Sequence, residues 1–292
     1  MRLGYNTNGW AHHDPFAAIE LIAELGYQSV AITLDHGPLN PYAADWPANL
    51  ARLRETLRRL RLSSVIETGA RYLLDPRRKH QPTLVSPSAS DRARRLDFLK
   101  RCLQAAAELD SDCVSLWSGA ADLQAEPTAG DQTLLDRLAA SLHVLLPEAE
   151  RLRVPIGFEP EPGMVIDSMN RFARLLEWVD SPQLQLTLDL GHLYCQGEVP
   201  IADYIARWSP RLVNVHIEDM RAGVHEHLMF GEGEMEFPPI IAALAHNEYT
   251  GGVHVELSRH SHEAPVAAKK AYDFLAPLLN RAAPGSGIFG VE

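Results

Sequence analysis

Eight times along the chain a short, mostly apolar run is followed by a longer segment whose apolar positions recur at helical spacing. Strict alternation of this kind implies parallel strands, because each connection carries a helix back across the sheet before the next strand begins. The strand-like runs fall at residues 2–6, 29–34, 62–68, 113–117, 154–159, 184–189, 212–217 and 252–257. The first helix-like segment is capped by Asp14-Pro15 and stopped by Gly26; the others lie at residues 47–60, 90–109, 132–152, 168–179, 201–208, 238–245 and 264–279. Pro147 is expected to bend the fourth. Eight repeats in 292 residues favour the α/β class in its closed form, a single (β/α)8 TIM barrel, over an open doubly wound sheet. No GxGxxG follows the first run, which removes the usual dinucleotide-binding alternative. The barrel is expected over residues 1–281, with a flexible tail at 282–292.

Side-chain parity sharpens the expectation. In a strand, alternate residues point to opposite faces. Val154, Ile156 and Phe158 therefore oppose Gly157 and Glu159, and Leu184, Leu186 and Leu188 oppose Gln185, Thr187 and Asp189. Val213, Val215 and Ile217 oppose Asn214 and His216; Val253, Val255 and Leu257 oppose His254 and Glu256. The small and polar set should face the bore. Barrel interiors are usually filled by branched apolar residues, so four consecutive polar inner faces indicate a wet, functional bore.

Four of these runs end in a side chain able to hold a metal: Glu159, Asp189, His216 and Glu256. Each, taken alone, could equally be a solvated or salt-bridged strand end. Together they fall on the rim where barrel loops converge, and neighbouring strands lie about 4.8 Å apart, close enough for consecutive strand ends to share one cation. Three carboxylates and an imidazole make a hard, oxygen-rich set suited to Mn²⁺, Mg²⁺ or Co²⁺, with Zn²⁺ also compatible. Glu161 is an alternative to Glu159, which parity favours. Asp219 is better placed to orient a ligand or cap a turn.

Two connections are unusually long. Residues 69–89 carry Arg71, Arg77, Arg78, Lys79 and His80, either a solvated basic loop or a clamp for a phosphate or carboxylate. Residues 218–236 carry His225, His227, Gly231 and Gly233, and both segments are candidate lids or walls. Trp10, His12 and Trp117 are candidates for a substrate-facing wall, with core packing the alternative for the tryptophans.

Composition narrows the partners. A formal charge of −11 with a pI near 5.6 disfavours nucleic acid and anionic membranes. Cys102, Cys113 and Cys195 form neither a disulfide framework nor a CxxC clip, consistent with a reducing compartment. MRLGYNTNGW lacks the sections of a secretory signal, and no run approaches the ~18 apolar residues of a membrane span. A cytoplasmic protein is expected.

The segments FEPEPG, TLDLGH, NVHIED with the later HEHLMFGEG, and HVELS resemble the xylose isomerase-like TIM-barrel superfamily of sugar and sugar-phosphate isomerases and epimerases, which also contains endonuclease IV. The resemblance implies one divalent metal held by Glu159, Asp189, His216 and Glu256. It also implies that Glu159 and Glu256 exchange protons with a small polyhydroxylated substrate through a cis-ene-diolate. His192 matches a family histidine that bonds substrate oxygens; His227, Arg71 and Trp117 are further expected substrate contacts. In the endonuclease branch a loop at the position of His225 and His227 supplies ligands to extra zinc ions, but that branch also needs histidines where this chain has Glu67-Thr68 and Trp117-Ser118. The expected activity is therefore an isomerase or epimerase. An endonuclease IV-like phosphodiesterase, an inosose-dehydratase-like lyase and a catalytically silent binding barrel are the alternatives. The resemblance makes a homo-oligomer plausible.

Overall fold

The computed structural model describes residues 1–282, so all of the expected tail except Ala282 lies outside the described residues. Eight parallel strands close on themselves: β1 Arg2–Asn6, β2 Ser29–Thr33, β3 Ser63–Glu67, β4 Val114–Leu116, β5 Ile156–Phe158, β6 Leu184–Asp189, β7 Leu212–Ile217 and β10 Gly252–Val255. β1 pairs with both β2 and β10, which completes the ring. The (β/α)8 expectation holds.

The long helices are α1 Pro15–Glu24, α2 Trp46–Leu60, α3 Ala89–Leu109, α4 Asp131–Leu152, α5 Met169–Trp178, α7 Ile201–Trp208, α8 Phe237–His246 and α9 Ala264–Ala282. Asp14 starts α1 as expected, its carboxylate accepting the N–H groups of Phe16 and Ala17. α2, α3 and α4 end on Arg61, Asp110 and Arg153, each in the left-handed conformation that turns the chain directly toward the next strand. The outward strand faces pack against this ring. Phe158 of β5 stacks on Phe172 of α5, with ring centres 5.8 Å apart, and Phe172 meets Trp208 of α7. No helix among the described residues is long and apolar enough to cross a membrane.

Three features depart from the sequence reading. A short helix, α6 Leu190–Cys195, follows β6 without a break. The connection after β7 contains a hairpin, β8 Asp219–Arg221 with β9 Val224–Leu228. The third departure concerns parity in β7. The β6–β7 register slips, pairing Leu186 with Leu212 but Thr187 with Asn214, so Val213 is an extra residue in a bulge. Val213 packs with Ala31, Val65 and Cys113 rather than with Val215 on the outer face. The bore thus has a small apolar layer, two residues earlier on β2 and β3 than the polar Thr33 and Glu67.

Gly157 shows how tightly the bore is filled. A Cβ there would clash with Thr187 Oγ1 and crowd Cys113 and Val213. Gly157→Val is expected to cost about 1–3 kcal/mol through overpacking. Urea denaturation checks this, and an unchanged midpoint would show that the bore has slack.

Candidate active site and metal cage

Glu159 leaves the end of β5 with its N–H donating to the Leu116 carbonyl at 2.8 Å, a strand-like bond that keeps its side chain in the bore. Asp189 and His216 are directly paired in the β6–β7 register, and Glu256 follows β10 one position further on. One ligand-type atom from each of these four residues lies within 4.8 Å of the other three. His216 is the hub. Its Nδ1 is 3.0 Å from Glu159 Oε1, 2.9 Å from Glu256 Oε2 and 4.0 Å from Asp189 Oδ2. On the other side of the ring, Nε2 is 2.9 Å from Glu67 Oε1.

Most of these groups are almost wholly removed from bulk water, with Asp189 2 % and His216 1 % exposed, while Glu256 is partly buried at the floor of the cavity. Burial alone would discharge His216, yet the surrounding Glu159, Glu67 and Glu256 carboxylates raise its pKa well above the usual histidine range. Burial pushes Glu159 upward, whereas Glu256, despite its burial, is held well below the usual carboxylate range by His216. Asp189 Oδ2 is buried with no hydrogen-bond partner. An orphaned buried carboxylate oxygen facing two further carboxylates and an imidazole nitrogen is a donor set with room for a cation, and it fits a hard divalent ion. Without an ion, the imidazolium of His216 supplies the positive charge.

The cavity above the cage measures about 410 Å³, and His192, His227, Arg71 and Trp117 all line it. His192 Nδ1–H donates to the Pro160 carbonyl at 3.3 Å, and burial keeps the ring neutral by pushing its pKa down to about 4. His225 joins the same wall, its Nε2 3.0 Å from His192 Nε2. His192, His225 and His227 form a second cluster whose nitrogens lie within 4.8 Å of one another; Asp189, Glu218 and His227 form a third. Glu218 is fully buried and neither carboxylate oxygen has a hydrogen-bond partner; burial raises its pKa well above the usual range. Glu161 lines the cavity but stands outside the four-residue cage. Asp219 ties the loop that follows, accepting the N–H groups of Met220, Gly231, Gly233 and Met235.

The fold divides the basic loop: Arg71, Lys79 and His80 line the cavity, and Arg77 and Arg78 do not. Arg78 bonds Asp75 and Asp122. Arg71 reaches the cavity but its Nε donates to the buried Asp35 at 2.6 Å, which neutralises much of its charge. Beneath this loop the buried Arg95 donates to the Thr68 and His80 carbonyls and lies 4.7 Å from the Trp117 ring centre. Trp10 and His12 do not belong to the wall. Trp10 packs edge-on against Tyr5 and His13, and His12 bonds Ser261.

Asn8, Glu67, Asn214 and Glu218 were not among the candidates drawn from the sequence. Asn8 Nδ2 donates to Glu256 Oε1 at 2.8 Å, which leaves Oε2 as the oxygen turned to the cage. For Glu67 a signal existed: its strand, like those of Glu159 and Asp189, is an apolar run ending in a carboxylate.

Residues 19–278 match the family described as "Xylose isomerase-like TIM barrel". The chain belongs to that family. It is 25 % identical over 269 residues to L-ribulose-5-phosphate 3-epimerase UlaE of Salmonella paratyphi A, covering 90 % of this chain and 89 % of that one. Among solved structures, a D-tagatose 3-epimerase-like protein superposes with a TM-score of 0.78 at 20 % identity, over 96 % of this chain and 99 % of the other. The 3-keto-D-glucoside 4-epimerase YcjR from E. coli gives 0.75 at 20 % identity, with the same coverage.

The charge on His216 has a direct consequence for ion binding. An ion at Nδ1 needs the neutral ring, so loading must expel a proton and grow weaker as pH falls. Calorimetry at pH 7 in buffers of different ionisation enthalpy is expected to detect about one to two protons released per ion, one from His216 and a fraction from Glu159, whose pKa burial raises to about 7. Binding without proton release would show that the ion-free ring is already neutral.

Proposed function

We propose that this protein is a divalent-metal-dependent epimerase or isomerase of a small sugar, sugar phosphate or related polyol, working by proton transfer through a cis-ene-diolate. The observation that carries the reading is the convergence of Glu159 and Glu256 on His216 Nδ1, at 3.0 and 2.9 Å, where both also line a cavity of about 410 Å³. The epimerase names of its relatives support the same chemistry.

Glu159, Asp189, His216 and Glu256 would hold the ion. When bound, a divalent metal supplies positive charge that polarises a carbonyl and stabilises the oxyanion formed when the adjacent carbon loses its proton. The remaining work falls to the chain. Two carboxylates facing one carbon from opposite sides can take a proton from one face and return it to the other, which inverts the centre. Their environments differ in the sense this exchange needs: burial favours the protonated form of Glu159, and the cationic neighbourhood favours the ionised form of Glu256. Asn8 fixes Oε1 of Glu256, and with it the orientation of the carboxylate whose Oε2 faces His216. His192, with Nδ1–H committed to Pro160 and Nε2 meeting His225 Nε2, is held as a fixed part of the cavity wall beside the cage. Trp117 and Arg71 line the same cavity.

Incubation with L-ribulose, D-tagatose and their phosphates in D₂O, in the presence of Mn²⁺ or Co²⁺, is the direct test. A proton-transfer enzyme incorporates solvent deuterium at the carbon next to the carbonyl, and Glu256→Gln should slow this about 10²–10⁴-fold. The reading fails if no ketose is labelled, or if Glu256→Gln labels as fast as the parent.

One observation favours a second reading, a phosphodiesterase of the endonuclease type: the extra nitrogen cluster of His192, His225 and His227 beside the cage. Against it stand the net charge of −11 and the absence of histidines at the ends of β3 and β4. Metal analysis of the purified protein separates the two. One equivalent per chain is expected for the epimerase, and three zinc ions with cleavage of abasic DNA would replace that reading.

A further inference from the structure

We infer that Glu67 is a positioning residue for this site, holding the Nε2–H of His216 and so presenting Nδ1 to the ion. The inference rests on the metal-holding reading of the cage given above. Glu67 ends β3, across the bore from β7, and is separated from His216 by 149 positions in the chain. Its Oε1 lies 2.9 Å from His216 Nε2. The four cage atoms lie within 4.8 Å of one another and Glu67 is not one of that set, so its carboxylate stands behind the ring and not beside the ion.

The Glu67 carboxylate, which can only accept and is the nearer partner of Nε2, selects the form of His216 with a proton on Nε2. Asn214 Nδ2, itself a donor, lies 3.1 Å from the same nitrogen and cannot donate to it in that form, so its N–H is left to Glu67. Its other end is taken: Oδ1 accepts from His254 Nδ1 at 2.8 Å, and His254 Nε2 meets Ser29 Oγ at 2.8 Å. The amide is therefore turned with its N–H groups toward the ring of His216, where they also reach Glu67 Oε1 at 3.4 Å. Two donors, the Asn214 amide and His216 Nε2–H, converge on one carboxylate oxygen, which can only accept. With Nε2 committed as a donor, Nδ1 is the nitrogen whose lone pair is available once its proton has left.

A carboxylate behind a ligating imidazole does two things: it fixes the ring's rotation and tautomer, and it raises the basicity of the ligating nitrogen. Glu67 has both geometric requirements. It is buried with the ring and has a direct short contact, and the Asn214–His254–Ser29 chain keeps its second donor in place.

The test compares parent protein, Glu67→Gln and Glu67→Ala, stripped of ions and titrated with Co²⁺ while visible absorbance and calorimetry are followed. Glu67→Ala is expected to weaken Co²⁺ binding about 10–100-fold. Glu67→Gln keeps an acceptor but not the charge, and should fall between Ala and the parent. Both variants binding within twofold of the parent, with an unchanged cobalt spectrum, would overturn the inference. A parent that binds no Co²⁺ refutes the metal-holding reading instead, and Glu67 is then judged on the ion-free protein. There, ¹⁵N-resolved spectra of the histidine rings should show a hydrogen-bonded Nε2 proton, assigned to His216 by its loss in His216→Gln. The same spectrum of the parent decides the matter if the Glu67 variants fail to fold: a His216 ring without an Nε2 proton sinks the proposal.

Discussion

A buried imidazole ringed by carboxylates is the constraint on which the rest of the site depends. His216 is 1 % exposed, yet its two nitrogens face Glu67 on one side and Glu159 and Glu256 on the other. So many acidic groups in so little water are unstable unless positive charge stands among them, because each unpaired buried carboxylate costs several kcal/mol or takes up a proton. The imidazolium meets that need in part, and the orphaned oxygen of Asp189 marks the part it leaves. Charge imbalance of this kind makes the site a receptor for a cation before any substrate is considered.

The barrel makes the arrangement possible by keeping two kinds of packing apart. Outward faces are apolar and interlock with the helices, as Phe158 does with Phe172 and Trp208. Inward faces are polar near the rim and close below on the small layer of Ala31, Val65, Cys113 and Val213. A buried chain also runs from Asn214 through His254 to Ser29, in which each polar group finds a partner. The bulge at Val213 serves both zones, since the extra residue supplies the apolar layer while Asn214 and His216 keep their inward direction.

The loops tell a different story from the strands. Residues 69–89 carry five basic side chains that the fold treats differently: Arg78 is drawn off by Asp75 and Asp122, whereas Arg71, paired with Asp35, lines the cavity together with Lys79 and His80. Composition counts charges; it does not record which acid each base will meet. In the later loop Asp219 behaves as expected of a turn-capping carboxylate, gathering four backbone N–H groups, while the hairpin that presents His225 and His227 to the cavity has no periodicity long enough to announce it.

What the chain by itself determined was whatever depends on local spacing. Alternation at period two set the inner and outer faces of β5, β6 and β10, and apolar runs ending in Glu159, Asp189, His216 and Glu256 placed four donors at one rim, because neighbouring strands in a parallel ring end at similar heights. What only the tertiary structure decided was contact across the ring. Glu67 meets His216 over 149 positions and Asn8 meets Glu256 over 248, since closure sets β3 opposite β7 and β1 beside β10. The slip at Val213 belongs to the same class: a bulge is a property of two strands in register, and neither strand carries it alone.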